Sequence, residues 1–303
     1  MKLLFVVPGP IQWATSRFRA YWIQPHTPDS EIVLFSEISE LAGDRLRDAL
    51  APFDYVIWLK QCPIRLLKGN IKNGQKHWWD VTDPMWWFSP QWSSEIAEFV
   101  DGTIVSSRGL GEDFNLWKPT KAKLSKRIDD HMNLDHYNIV KQHANDGPAK
   151  LIWFGLGINR FSLAAALPYL SRAWANGWKF SLTIMDNYNN DSWAKMVDFP
   201  IEHVRYDLDT EVEILAAHDI AVLPKYPGPW GGCKSINKRL TAYATGLPVV
   251  DGNDYHSILK LIDDPVLRQM QGDSNRRMVE ERYTSERYAR KLVGVLENDD
   301  AAI

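Results

Sequence analysis

Along this chain the apolar residues fall into short continuous runs, and between the runs they recur at helical spacing. Residues 3–7, 31–35, 55–59, 76–81 and 102–106 are such runs, and each predicts a buried strand. Helical segments are expected between them, at about 16–23 and 41–50. A second series starts with a strand at 150–154. It continues with a helix over 161–174, strands at 180–185 and 203–206, a helix over 211–218, a strand at 220–223, a further helix and a strand at 248–250. Strands alternating with helices through short loops predict an α/β chain with parallel, doubly wound sheets and helices on both faces.

Between the two series, residues 115–147 are polar and charged and end in His143-Ala144-Asn145-Asp146-Gly147-Pro148, which marks a linker. The expected organisation is a Rossmann-like domain over 1–147, a second over 148–280, and a C-terminal helix within 281–303. That helix opens on the hydroxyl caps Thr284 and Ser285 and is amphipathic through Val293.

Composition narrows the function classes. With 303 residues, 45% hydrophobic and 24% charged, this is a folded chain of two-domain size. A net charge of −3 supplies no bulk attraction to nucleic acid or anionic membranes. Lys118, Lys121, Lys123, Lys126 and Arg127 do crowd one segment, as a solvated surface or as a contact for an acidic acceptor or a membrane edge. Cys62 and Cys233 have no CxxC context and imply neither a disulfide framework nor a metal site, so a cytoplasmic location is expected. The first apolar run ends at Pro8-Gly9-Pro10, too short for a signal peptide, and no run is long enough to span a membrane.

The 14 tryptophans exceed ordinary usage. Indoles stack on sugars and nucleobases, and they also fill cores. Packing is the expected role for Trp13, Trp22, Trp78, Trp79, Trp86, Trp87 and Trp92 taken singly. Trp230, in the loop Pro227-Gly228-Pro229-Trp230-Gly231-Gly232, is the exception.

The most informative stretch follows that loop. Lys234-Ser235-Ile236-Asn237-Lys238 leads into a helix whose apolar face is Ile236, Leu240 and Tyr243; Gly246 and Pro248 end it before a buried strand. Two lysines stand beside the free N–H groups of a helix start. They either hold an anion such as a diphosphate or are solvated on a capped surface helix. Upstream lies His218-Asp219-Ile220-Ala221-Val222-Leu223-Pro224-Lys225, a short strand running into the glycine loop.

The order Asp, strand, Pro, glycine loop, Lys-Ser-x-Asn-Lys, helix, Gly-Leu-Pro-Val-Val extends over about thirty positions. It resembles the C-terminal half of GT-B nucleotide-sugar glycosyltransferases, specifically the retaining family 4-like group. The resemblance implies two Rossmann-like domains facing across a cleft, with the donor's diphosphate held at the strand end and helix start. It implies sugar transfer from a nucleotide diphosphate sugar to a hydroxyl acceptor on a glycan, a lipid-linked or a small molecule, with retention. It also implies that the last helix crosses back to the first domain. The donor is a co-substrate; no cofactor and no metal are expected.

The same resemblance nominates residues. Lys234, Lys238 and Arg160 would stabilise the departing diphosphate, with Asp83 as a further catalytic candidate. Gly9, Arg17, Gly157, Asn159, Asp186, Tyr206, Trp230, Gly231, Gly232, Ser235 and Asn237 would bind the donor. Arg17 lies in a Ser-Arg-x-Arg after the first strand, and Gly157 and Asn159 in Gly155-Leu156-Gly157-Ile158-Asn159-Arg160. Asp80 and Trp86, in Asp80-Val81-Thr82-Asp83-Pro84-Met85-Trp86, would meet the acceptor. In the rival account, Arg17 and each carboxylate of that stretch serve surface pairing or loop capping. Gly231 and Gly232 would let the donor loop adopt positive φ, and Trp230 would offer a face to the donor's pyranose.

One departure matters. Where the family carries a pair of glutamates eight positions apart, this chain has Cys233 and Thr241. A noncatalytic nucleotide or sugar-nucleotide binding module of the same fold is therefore the alternative. A third, less favoured reading makes modified DNA the acceptor, from the basic segment and the tryptophans.

Overall fold

The computed structural model describes residues 1–69, 74–144, 147–188 and 195–298. The chain forms two compact units. The first comprises residues 1–131, 228–236 and the chain from 285; the second comprises 132–227 and 237–284. Asn145 and Asp146, within the expected linker, lie outside the described residues.

In the first unit, β1 (Leu3–Val7), β2 (Ser30–Leu34), β3 (Tyr55–Leu59), β4 (Lys76–Val81), β5 (Gly102–Val105) and β6 (Lys126–Arg127) form one parallel sheet. Its order is β2-β1-β3-β4-β5-β6. The central strands are apolar on both faces because helices cover both. The second strand stops at Leu34, whose N–H is taken by the Glu37 carboxylate at 3.0 Å, so Phe35 opens a helix instead of extending the strand.

The basic segment is more than a linker. Lys126 and Arg127 pair with Ile104 and Val105 as an edge strand, where charged side chains are tolerated and deter further pairing. An edge strand needs only backbone partners, so its polar composition conceals it.

The C-terminal helix Ser285–Glu297 belongs to the first unit. Tyr288, Leu292, Val295 and Leu296 pack into the core of Leu3, Phe5, Val7, Ile57, Leu59 and Trp78. Among the described residues six tryptophans are buried, and Trp58, Trp78, Trp79 and Trp153 are fully so. Gly102 in β5 is glycine because a Cβ there would lie 2.4 Å from the Trp78 ring.

The second unit holds β7 (Ala149–Phe154), β8 (Phe180–Asp186), β9 (Ile201–Arg205), β10 (Ile220–Val222) and β11 (Val249–Val250), all parallel, in the order β11-β10-β7-β8-β9. The helix expected over 161–174 divides into Phe161–Ala164 and Leu167–Ala175, with Pro168 in the first turn of the latter. Two helices follow β11, Tyr255–Asp263, which buries Ile258, Leu261 and Ile262 on one face, and the largely polar Pro265–Arg282. Both carry local start signals: Asp254 accepts from Ser257 N–H at 3.1 Å and Asp264 from Leu267 N–H at 2.9 Å.

Candidate functional site

In the second unit the chain leaves β7 for β8 and β9 on one side, then returns to β10 and β11 on the other. The loops after β7 and β10 therefore diverge at a topological switch point, where open α/β sheets bind ligands. After β7 the backbone turns at Gly155, φ +152°, whose N–H donates to the Met185 carbonyl at 3.1 Å. A Cβ on Gly155 would sit 2.3 Å from Lys238 Nζ, so glycine here makes room for that ammonium. Lys238 lies in the first turn of the helix Asn237–Ala244, with Nζ 4.7 Å from the Trp153 ring centroid. A cation in a helix's first turn opposes the macrodipole; an anion bound there would relieve the conflict.

Loops around this point are tied to one another. Gly157 N–H donates to Asn187 Oδ1 at 2.7 Å, and the Tyr188 ring lies so close that a Cβ on Gly157 would meet it at 2.3 Å. The Tyr226 hydroxyl, on the loop after β10, donates to Asn159 Oδ1 at 3.1 Å, and its ring meets Phe161 edge-on at 4.3 Å. Asn159 is thus held by a side chain that no motif suggested.

Arg160 and Asp186 do not present themselves to a ligand as expected. The guanidinium donates to both Asp186 oxygens, with Nη2–Oδ1 at 2.8 Å, and to the Tyr188 carbonyl; His203 adds a contact to each of them. The side chains are 5% and 0% exposed. Burial raises the Asp186 pKa, but hydrogen bonds from Arg160, His203 and Tyr188 N–H outweigh it and hold the carboxyl below its ordinary range. The pair fastens the β7 and β8 loops. Tyr206, half-buried at the end of β9, donates its N–H to the Asp186 carbonyl at 2.7 Å.

The first unit carries a different cluster. Asp83, beyond the end of β4, meets Lys60 at 2.6 Å through Oδ2 and Lys234 at 2.7 Å through Oδ1. Burial pushes this carboxyl up, while the two ammonium groups pull it further down, leaving it below the usual carboxylate range. Lys60 itself is left-handed, φ +61°, held by its N–H on the Asp80 carbonyl (2.9 Å) and its carbonyl under the Trp79 indole N–H (3.0 Å). The strand-end position of Lys60 was legible; nothing in its sequence marked it out.

The glycine loop is ordered differently from expectation. Residues Pro229–Cys233 form a short helix, and positive φ falls on Gly228 (+75°), not on Gly231 or Gly232. Trp230 packs against Trp87 and Phe88, with Lys234 Nζ 4.4 Å from its ring centroid. That contact occupies a face expected to stack on a sugar. Ser107 Oγ donates to the Cys233 carbonyl at 2.8 Å, and the Ser235 hydroxyl hydrogen-bonds Asp130.

Asp80 and Trp86 are turned into the first unit and are not open to an acceptor. Arg19 grips both Asp80 oxygens at 2.8–3.1 Å, reaches Asp130 at 3.3 Å and lies over the Tyr288 ring; Asp80 is 2% exposed. Trp86 stacks on Trp117 and donates to Asp113 Oδ2 at 2.7 Å. Arg17 is buried, donating to the Ile11 and Gln12 carbonyls and lying over Phe18 and Trp22. Gly9 accommodates the Trp13 ring, which a Cβ would meet at 2.5 Å. Cys233 and Thr241 are both buried. Desolvation pushes the Cys233 thiol up to about 11, so it supplies no anion in place of a glutamate. Among the described residues no three His, Cys, Asp or Glu side chains converge as metal ligands, and no helix is long and apolar enough to cross a membrane.

The fold is that of solved GT-B glycosyltransferase structures. HepE from Anabaena, solved with UDP and glucose, matches over 98% of this chain and 99% of its own, with TM-score 0.72 and 11% identity. A glycosyltransferase from Rickettsia africae matches over 98% of both chains, with TM-score 0.65 and 11% identity. Staphylococcus aureus TarM, solved with UDP, matches over 81% of this chain with TM-score 0.54 and 15% identity; this chain spans 55% of its length. No protein-family model and no curated protein matches the sequence.

Proposed function

We propose that the chain is a glycosyltransferase that moves a hexose or pentose from a nucleoside diphosphate sugar to a hydroxyl acceptor, with retention and without a metal. The observation that carries this reading is Lys238. Its ammonium lies in the first turn of a helix, against Gly155, at the switch point of the second unit. A diphosphate there would gain the ammonium and the positive end of the helix dipole, and its departure from the sugar would be stabilised electrostatically. The loop residues Gly157, Asn159 and Tyr206 would flank the nucleoside. The likeness to HepE, whose structure contains UDP and glucose, supports a nucleotide-sugar donor.

Lys238→Ala is expected to weaken nucleoside diphosphate binding by roughly 1.5–3 kcal/mol while leaving nucleoside binding nearly unchanged. Calorimetry with UDP and uridine, beside a donor-turnover assay run with and without EDTA, tests it. Equal losses for both ligands would remove Lys238 from the phosphate. The buried Cys233 and Thr241, which replace two carboxylates, favour one other reading: a noncatalytic sugar-nucleotide binding module. Binding without turnover across donors and acceptors would select it.

A further inference from the structure

We infer that the second unit carries a saccharide-holding site at the edge of its sheet opposite Gly155 and Lys238, one that takes a neutral hexose unit of a glycan. A cavity of about 500 Å³ opens there. Pro148 and Ala149 at the start of β7, Asn176, Trp178 and Lys179 ahead of β8, and Asp263 at the end of the helix Tyr255–Asp263 line it. Its size falls in the range of roughly 300–1,000 Å³ usual for small-ligand sites. Strand β7 runs from this cavity toward Gly155, a rise of about 17 Å, so the cavity is separate from the place of Lys238.

Local backbone structure builds the walls. The helix Leu167–Ala175 is closed by Gly177, φ +94°, whose N–H donates to the Trp174 carbonyl at 3.0 Å, while the Trp178 N–H returns to the Ala173 carbonyl at 3.2 Å. Aromatic rings beyond the lining hold two of its polar side chains. Lys179 Nζ lies 4.2 Å from the Trp174 ring centroid. Asn176 Nδ2 donates to the Tyr255 hydroxyl at 2.9 Å, which leaves its Oδ1 as an acceptor.

The chemistry of the lining selects the ligand. Among the described residues, the Asp263 carboxylate and the Trp178 indole N–H have no hydrogen-bond or ion-pair partner. Two helices end on the cavity, so their carbonyl ends and Asp263 welcome hydroxyl donors and repel an anion such as phosphate. Lys179 balances that charge, which disfavours a free cation. A sugar fits both conditions. Its hydroxyls would donate to Asp263 and Asn176 Oδ1, its oxygens would accept from Lys179 and the indole N–H, and its apolar face would lie on the Trp178 ring.

Saturation-transfer NMR on the full chain, with UDP present, tests the assignment using methyl glucoside, methyl galactoside and methyl N-acetylglucosaminide. At least one glycoside should bind, and Trp178→Ala and Asp263→Ala should each weaken it about tenfold. Asp263→Ala removes an acid from a helix C-terminal end, so it should keep or raise the thermal midpoint and separates binding from folding. UDP affinity should be unchanged in both variants, and Lys238→Ala should leave glycoside affinity unchanged. No binding by wild type, or unchanged binding in a folded Asp263→Ala variant, overturns the proposal. Inorganic phosphate binding that is lost in Lys179→Ala would make the cavity an anion site and overturn it equally. None of these results depends on sugar transfer, because a chain that transferred nothing would still show them.

Discussion

Gly155 and Lys238 occupy one place: the α-carbon of the first, were it to carry a methyl, would drive that methyl to 2.3 Å from the ammonium of the second and 2.6 Å from its Cε. Gly155→Ala should therefore displace Lys238 and strain the φ of +152° at the same time. The expected outcome is at least a tenfold loss of nucleoside diphosphate affinity, roughly 1.4 kcal/mol or more. Calorimetry beside an unchanged far-ultraviolet dichroism spectrum checks it.

Gly109, in the helix Arg108–Trp117, reverses the usual rule for helical glycines. Alanine in a helix ordinarily gains about 1 kcal/mol over glycine. Here a Cβ would lie 2.1 Å from the Gly232 carbonyl oxygen, in the segment that Ser107 also holds. Gly109→Ala should destabilise by about 1–3 kcal/mol through overpacking. Urea unfolding gives the sign directly.

Arg19 is surrounded by groups that need it. Burial raises both the Asp80 and Asp130 pKa values, and the guanidinium counters this. Arg19→Met would leave two buried carboxylates without a cation and should cost about 3–5 kcal/mol. Because both carboxyls would then favour the protonated form, lowering the pH from neutral toward 5 should restore part of the lost stability. Thermal scans across that range check the recovery.

His131 gives the opposite pH dependence. Its Nε2 meets the Phe18 carbonyl, which can only accept, so Nδ1 accepts from Ser285 Oγ at 3.0 Å and the ring is neutral. Desolvation holds its pKa down to about 3, and that of His77 down to about 4, from an ordinary 6.5. With the folded values depressed, this stability is fully present above the unfolded pKa and is lost as the pH falls toward the folded ones. Each group should remove about 1.4 kcal/mol per pH unit below that point. His131→Gln should flatten the slope between pH 6.5 and 4.5, measured by denaturant titration at fixed temperatures.

Trp230→Ala should act on stability before specificity. The ring joins Trp87, Phe88 and Lys234 in the first unit and is half-buried, so its loss should cost about 1–3 kcal/mol. The ranking among donor sugars should stay the same. A changed ranking at unchanged stability would return the indole to the donor.

The sequence by itself determined the apolar strands of both sheets, all but the polar edge strand β6, to within a residue or two, because a doubly covered strand must be an apolar run and Gly or Pro must punctuate it. It also showed that Cys233 and Thr241 bring no carboxylate. These properties depend on a residue and its near neighbours. Tertiary structure alone decided what the charges do. Arg19 meets Asp80 across 61 positions and Lys234 meets Asp83 across 151, converting an expected acceptor ligand into a buried ion pair and an expected donor ligand into a first-unit partner. It likewise gave Arg160 to Asp186, paired the basic residues Lys126 and Arg127 with β5, and bent Lys60 into a left-handed turn that a lysine codon cannot announce. The physical reason is that burial follows from a side chain's own chemistry. The partner of a charge, by contrast, is set by distance in the folded chain, which separation along the sequence does not constrain.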